Sequence, residues 1–194
     1  MPTSKIIENY STNILTLANK LTILRIVFVP VFIILLTYNR LGWALLTFLA
    51  AGLTDGLDGI IARRFGQKTS VGAILDPIAD KLLMTSSLVV LSMSQMEFSN
   101  PIPIWLMLLV IFRDVFILFG SLAFVLANGF RTFPPTIYGK VSTACQLLTV
   151  FIVLLFNWLN VVEPALYFMF IVTGLLTVIS GVNYLFTSRK FLEG

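Results

Sequence analysis

No histidine occurs in this sequence, and there is a single cysteine, Cys145. Without histidine the commonest general base and transition-metal ligand is missing, so a base here is expected to be a carboxylate and a metal to be held by oxygen. One cysteine excludes an internal disulfide and says little about redox compartment; a packing role is expected for it. Charge is scarce too, at 11% of 194 residues against about a quarter in soluble domains. Residues 1–20 show neither an apolar core before Leu21 nor a small-residue cleavage site, so they do not read as a secretory signal. Internal repeats, low-complexity segments and the aromatic-basic pattern of a nucleic-acid binder are likewise absent. The net charge of +4 reads as attraction to anionic lipid rather than to nucleic acid.

What is abundant is apolar residues, 58% of the chain. A hydrocarbon core of ~30 Å takes about 20 apolar residues per helical span. Six such spans can be read: Leu21–Tyr38, Gly42–Ala62, Val71–Met96, Pro103–Ala127, Val141–Leu159 and Pro164–Phe186. Turn chemistry separates them, at Asn39–Arg40, Phe65–Gly66, Asn100–Pro101, Asn128–Gly129 with Pro134–Pro135, and Asn160 to Pro164. With no β pattern, the expected fold is an all-α integral membrane protein, a six-transmembrane-helix bundle. Lys5 and Lys20, then Arg63, Arg64 and Lys68, then Arg131 and Lys140, then Arg189 and Lys190 all fall on one side. The opposite loops hold only Arg40, Glu97 and Glu163. The positive-inside rule therefore puts both termini in the cytoplasm. Ser4–Ala18 spaces Ile6, Ile7, Tyr10, Ile14, Leu15 and Leu17 among polar neighbours, which suggests an amphipathic helix on the membrane surface, with a poorly ordered tail as the alternative. Two parts are thus expected: an amphipathic juxtamembrane segment, residues 1–20, and a membrane domain, residues 21–194.

Spans two and three are the least apolar. Asp55, Asp58, Asp76 and Asp80 lie there, four of only nine acidic residues. Ionisable groups inside a bilayer cost several kcal/mol and default to a functional reading. Asp55 and Asp58 are three apart and Asp76 and Asp80 four apart, so each pair shares a helical face. All four fall within roughly three turns of the Arg63–Lys68 loop. Four carboxylates that close cannot all stay ionised unless cations sit between them. Oxygen ligands alone point to Mg²⁺, Mn²⁺ or Ca²⁺, and two such ions would suit phosphoryl chemistry. Gly59 and Gly72 leave room for a ligand near the backbone, Ala62 is small on the aspartate face, and Arg63 offers a planar fork for phosphate. Each has a plain alternative: small residues pack membrane helices, and Arg63 with Arg64 can anchor topology.

The spacing Asp55-x-x-Asp58-Gly59-x-x-Ala62-Arg63, eight residues, Gly72-x-x-x-Asp76-x-x-x-Asp80 resembles the CDP-alcohol phosphatidyltransferase signature at every fixed position. The resemblance implies a six-span enzyme, usually a homodimer, that uses CDP-diacylglycerol and two divalent ions, Mg²⁺ or Mn²⁺. It implies that Asp55, Asp58 and Asp76 hold the ions, that Asp80 shares in metal binding and is the catalytic base, and that Thr54, Gly59, Ala62, Arg63 and Gly72 line the CDP site. It further implies a multi-pass protein of the bacterial inner membrane with a cytoplasmic active site.

Asn19, Thr22 and Arg25, in NKLTILR, resemble the opening shared by phosphatidylglycerophosphate synthases and CMP-forming cardiolipin synthases. With Arg113, Arg131 and Lys140 they are the candidate acceptor-binding residues. A cap and a snorkelling anchor are the alternatives for the first group, and an intramembrane pair with Asp114 is the alternative for Arg113. IFRDV, AGLTD and Ser142, where the glycerophosphate branch carries a second lysine, point to phosphatidylglycerol as acceptor, with cardiolipin as product. Glycerol 3-phosphate is the alternative, and a cation transporter is the rival from another class.

Overall fold

The structure, a computed structural model, describes residues 17–64, 70–93, 96, 98–128 and 136–192. Side chains are described at 20–55, 78–93, 96, 98–120 and 136–186. Among the described residues there are six helices and no strand: α1 (Leu17–Thr37), α2 (Leu41–Arg64), α3 (Ser70–Ser92), α4 (Ile104–Asn128), α5 (Ile137–Leu159) and α6 (Ala165–Leu192). Three are long and apolar enough to cross a membrane, at Lys20–Thr37, Ile137–Leu159 and Ala165–Phe186. The amphipathic segment expected over Ser4–Ala18 lies outside the described residues, apart from the Leu17 and Ala18 backbone at the start of α1.

Four helix ends differ from the expected spans by about a turn or more: α1 begins at Leu17 rather than Leu21, α3 ends at Ser92 rather than Met96, α5 begins at Ile137 rather than Val141, and α6 runs to Leu192 rather than Phe186. The third span was expected to reach Met96, but α3 stops at Ser92. Near that end the Ile102 N–H donates to the Leu91 carbonyl at 2.9 Å. The fifth was expected from Val141, but α5 begins at Ile137 because Thr136 caps it. The Thr136 backbone is extended, and its Oγ1 accepts from the Gly139 N–H at 3.2 Å.

The chain falls into two compact units, one up to Val90 and one from Leu91. In the first, α1 packs along α2, with the Phe32 and Phe48 rings 6.0 Å apart. Thr22, Arg25, Val29, Phe32 and Leu36 form a buried stripe at helical spacing on α1. Ile23, Val27, Val31 and Ile34 on other faces are exposed, as lipid-facing side chains are. On α2, Ala44, Phe48 and Ala51 make the corresponding buried row, and Asp55 continues it by one more turn. Helix α1 ends with Asn39 in the left-handed region (φ 54°), the Asn39 and Arg40 N–H groups donating to Leu36 and Leu35.

In the second unit α6 packs against both α4 and α5. Between α5 and α6 runs a buried polar seam. Thr149 and Thr173 share a hydrogen bond of 2.7 Å, and Gln146 Nε2 donates to Thr177 Oγ1 at 3.0 Å. Ser142 Oγ lies 3.4 Å from Thr177 Oγ1, and Cys145 Sγ lies 3.3 Å from Thr173 Oγ1. Lipid removes most of the hydrophobic drive for helices to associate, so such bonds and close packing hold them. Close packing is clearest at Gly174, where a Cβ would stand 2.8 Å from the Trp105 ring. Helix α5 ends as α1 does, with Asn160 left-handed at φ 53° and Val161 N–H donating to Phe156.

Asn100 and Asn157 lock the loop ends of this unit. The Asn100 N–H donates to Asn157 Oδ1 (2.8 Å), and Asn157 Nδ2 donates back to the Asn100 carbonyl (3.0 Å). Asn100 Nδ2 donates to the Val161 carbonyl (2.7 Å), and Asn100 Oδ1 accepts from the Glu163 N–H (3.1 Å). Asn157→Leu strands the buried Asn100 N–H and is expected to cost about 1–3 kcal/mol. Thermal unfolding in detergent checks this; a midpoint equal to wild type would show that the clamp adds nothing.

Candidate functional site

The buried stripe of α1 contains a guanidinium where an apolar residue would otherwise stand. The Arg25 side chain is 1% exposed, and a buried cation needs partners. Two carboxylates supply them. Asp55 Oδ1, at the continuation of the α2 row, lies 2.8 Å from Arg25 Nη1, and Asp80 Oδ1 on α3 accepts from the same nitrogen at 2.5 Å. The one nitrogen thus ties three helices at a single point. The two carboxylates keep 49% and 51% of their side-chain surface exposed, so they meet a buried cation on one side and solvent on the other.

This arrangement fits a hard divalent ion. The donors are carboxylate oxygens, they converge on one point where positive charge is held, and their open sides let an ion reach them from water. Asp55 and Asp80 are the members of the aspartate set whose side chains are described. Asp58, Gly59, Ala62 and Arg63 lie on α2, and Gly72 and Asp76 on α3, with side chains outside the described residues, as is that of Asn19 on α1. Arg131 lies wholly outside them. Thr54 spends its hydroxyl on its own helix, donating to the Ala51 carbonyl at 2.8 Å. Thr22 is buried on the Arg25 face.

Grouping Arg25 with the acceptor residues missed its contact with the aspartates. The signal was available: Thr22, Arg25, Val29, Phe32 and Leu36 follow helical spacing, so a cation in that row faces inward and needs an inward carboxylate.

Arg113 belongs to the second unit, where it forms the ion pair with Asp114 that was its plainer reading. Its Nη1 donates to Asp114 Oδ1 at 2.7 Å and its Nη2 to Ser180 Oγ at 2.5 Å, with the two side chains 10% and 11% exposed. Among the described residues its buried Nε has no hydrogen-bond partner. Glycines make the space: a Cβ at Gly139 would stand 3.4 Å from Nη2, and one at Gly181 3.7 Å from Cγ. A groove of about 280 Å³ adjoins it, walled by apolar side chains of α4 and α6 that include Phe112, Phe116, Val178 and Leu185. Lys140, in the first turn of α5, is exposed.

Arg113→Ala removes a cation from beside the nearly buried Asp114 carboxylate and is expected to cost about 3–5 kcal/mol. Adding Asp114→Ala should restore much of that. A double-mutant cycle of thermal unfolding in detergent reads the coupling; strictly additive losses would refute it.

Comparison with known proteins adds what geometry cannot. The sequence pattern of one protein family, CDP-alcohol phosphatidyltransferase, matches residues 15–182. A probable cardiolipin synthase (CMP-forming) of Drosophila melanogaster is 37% identical over 193 residues, covering 89% of this chain and 57% of the fly protein. The chain thus spans little more than half the length of that relative. A probable phosphatidylglycerophosphate synthase of Mycobacterium tuberculosis is 36% identical over 191 residues, covering 93% of this chain and 85% of the mycobacterial one. A cardiolipin synthase (CMP-forming) of Streptomyces coelicolor is 37% identical over 111 residues, which are 54% of this chain and 49% of that protein.

Proposed function

The chain belongs to the CDP-alcohol phosphatidyltransferase family, and on that footing we propose that it moves a phosphatidyl group from CDP-diacylglycerol to a glycerol-type acceptor and releases CMP. The observation that carries this reading is the convergence of the Asp55 and Asp80 carboxylates on one buried cation, with their other sides open. The family gives no support to the cation-transporter reading, which is dropped.

In this reading Asp55, Asp58, Asp76 and Asp80 hold two divalent ions, Mg²⁺ or Mn²⁺. When bound, such ions offset the negative charge that gathers on a pyrophosphate as its bond breaks. Thr54, Gly59, Ala62, Arg63 and Gly72 receive the CDP moiety. Asp80 takes the proton of the acceptor hydroxyl, the oxygen attacks the phosphorus that carries diacylglycerol, and the bond from that phosphorus to CMP breaks. Holding both reactants at one place supplies a large share of the rate. The protein is a membrane protein. The proposal gives it six spans, residues 1–20 on the cytoplasmic surface, residues 21–194 as the membrane domain, both termini and the active site at the cytoplasmic side of a bacterial inner membrane, and a homodimeric state.

For the acceptor we favour phosphatidylglycerol, which makes the product cardiolipin. Ser142 stands where the glycerophosphate branch has a second lysine, and it is buried among the hydroxyls of the α5–α6 seam. Arg113 is engaged by Asp114 and Ser180. Both observations leave less free positive charge for a small dianion. Glycerol 3-phosphate is the second reading, favoured by the near-equal likeness to the fly and mycobacterial relatives named for different products.

Protein purified in detergent is expected to release CMP from CDP-diacylglycerol only with a divalent ion and an acceptor present, and to lose that activity in EDTA. Identifying the lipid formed with phosphatidylglycerol or glycerol 3-phosphate in separate assays decides the acceptor. Metal-independent release would sink the two-ion site. Asp80→Asn should still bind CDP-diacylglycerol while turnover drops by about 10²–10⁴-fold, as for a lost general base; near-normal turnover would remove Asp80 from that role.

A further inference from the structure

Arg25 is too deeply set to be a topology anchor, and its charge is already committed to carboxylates. Its side chain is 1% exposed and lies in the same buried row as Val29 and Phe32. One atom, Nη1, meets Oδ1 of Asp55 at 2.8 Å and Oδ1 of Asp80 at 2.5 Å. A carboxylate oxygen that donates its lone pairs to a metal has fewer for a guanidinium, and two cations at one pair of carboxylates repel each other.

We propose that Arg25 is a built-in counter-cation of the aspartate site, holding Asp55 and Asp80 together before a divalent ion binds and yielding them when it does. The inference rests on the metal-binding part of the proposed function. It makes metal binding an exchange of one cation for another. Nothing covalent changes: the Arg25 Nη1 hydrogen bonds to the two Oδ1 atoms break, and the same oxygens turn to the ion.

Arg25 thereby does two things at once. It keeps α2 and α3 carboxylates from repelling each other in the metal-free protein, so the site is in place before its ion arrives. It also weakens the ion's hold, because every binding event has to break these bonds. A merely structural arginine would do the first and not the second. Arg25 is in this sense a positioning residue, acting on the reaction through Asp55 and Asp80.

The test uses the full chain in detergent, stripped with EDTA, with Mn²⁺ titrated and free Mn²⁺ followed by electron paramagnetic resonance. Arg25→Gln is expected to lower the thermal midpoint of the metal-free protein yet to bind Mn²⁺ roughly tenfold tighter than wild type, the scale of a lost pairing of this kind. Saturating Mn²⁺ should bring its midpoint back towards that of wild type. Arg25→Lys keeps a charge but not the flat fork, so its affinity should fall between the two. If Arg25→Gln does not survive metal stripping, Arg25→Lys decides alone, by binding more tightly than wild type. Equal or weaker Mn²⁺ binding in both variants would overturn the inference while leaving the metal site standing. Wild-type protein that binds no Mn²⁺ would overturn the metal site itself, and this inference with it.

Discussion

A polar group buried among membrane helices must find its partner inside the protein, because lipid offers none. Among the described residues Arg25 is the largest fully buried side chain, and it sits in the buried stripe of α1 in the first unit. Asp55 and Asp80 reach that buried charge, which fixes how α1, α2 and α3 meet at that level. Elsewhere the same constraint is met on a smaller scale. Thr37, Thr47, Ser86 and Ser87 each return their hydroxyl to a carbonyl one turn back on their own helix.

The two units satisfy the constraint by different chemistry. In the first, full charges meet at a point half open to solvent. In the second, hydroxyls, an amide and a thiol run along the α5–α6 contact, and a charge pair, Arg113 with Asp114, is nearly closed off. An enclosed, neutral seam suits a fixed interface. Carboxylates with one exposed side suit exchange with ions and phosphates from water. Physical chemistry alone therefore separates the part of the molecule suited to reaction from the part suited to scaffolding.

Much of this was legible in the residues. Apolar runs and turn chemistry located six helices, and their ends came within about one turn except at α6, which runs six residues past Phe186 to Leu192. Among the misplaced ends, Ile137 depends on a threonine cap, which composition does not weigh. The aspartates stood out because charge is so rare in this chain. Their partner did not, since Arg25 sits in a short motif that resembles an acceptor-binding segment, and only its helical face shows that it points inward. Ser180 as the partner of Arg113 was out of reach for a different reason. The two lie 67 residues apart on different helices, and periodicity within one helix carries no information about which neighbour it meets.

The Asn100–Asn157 clamp bears on how the second unit comes together in time. It closes a stretch of 57 residues, and both of its ends are polar. Loop-closure entropy grows only slowly with length, so the span costs little more than a short one would. What the length imposes is order: the clamp cannot close until α4 and α5 have both formed, with the residues before the start of one beside the end of the other. Two asparagines thus engage late, and only once both helices stand in their native arrangement.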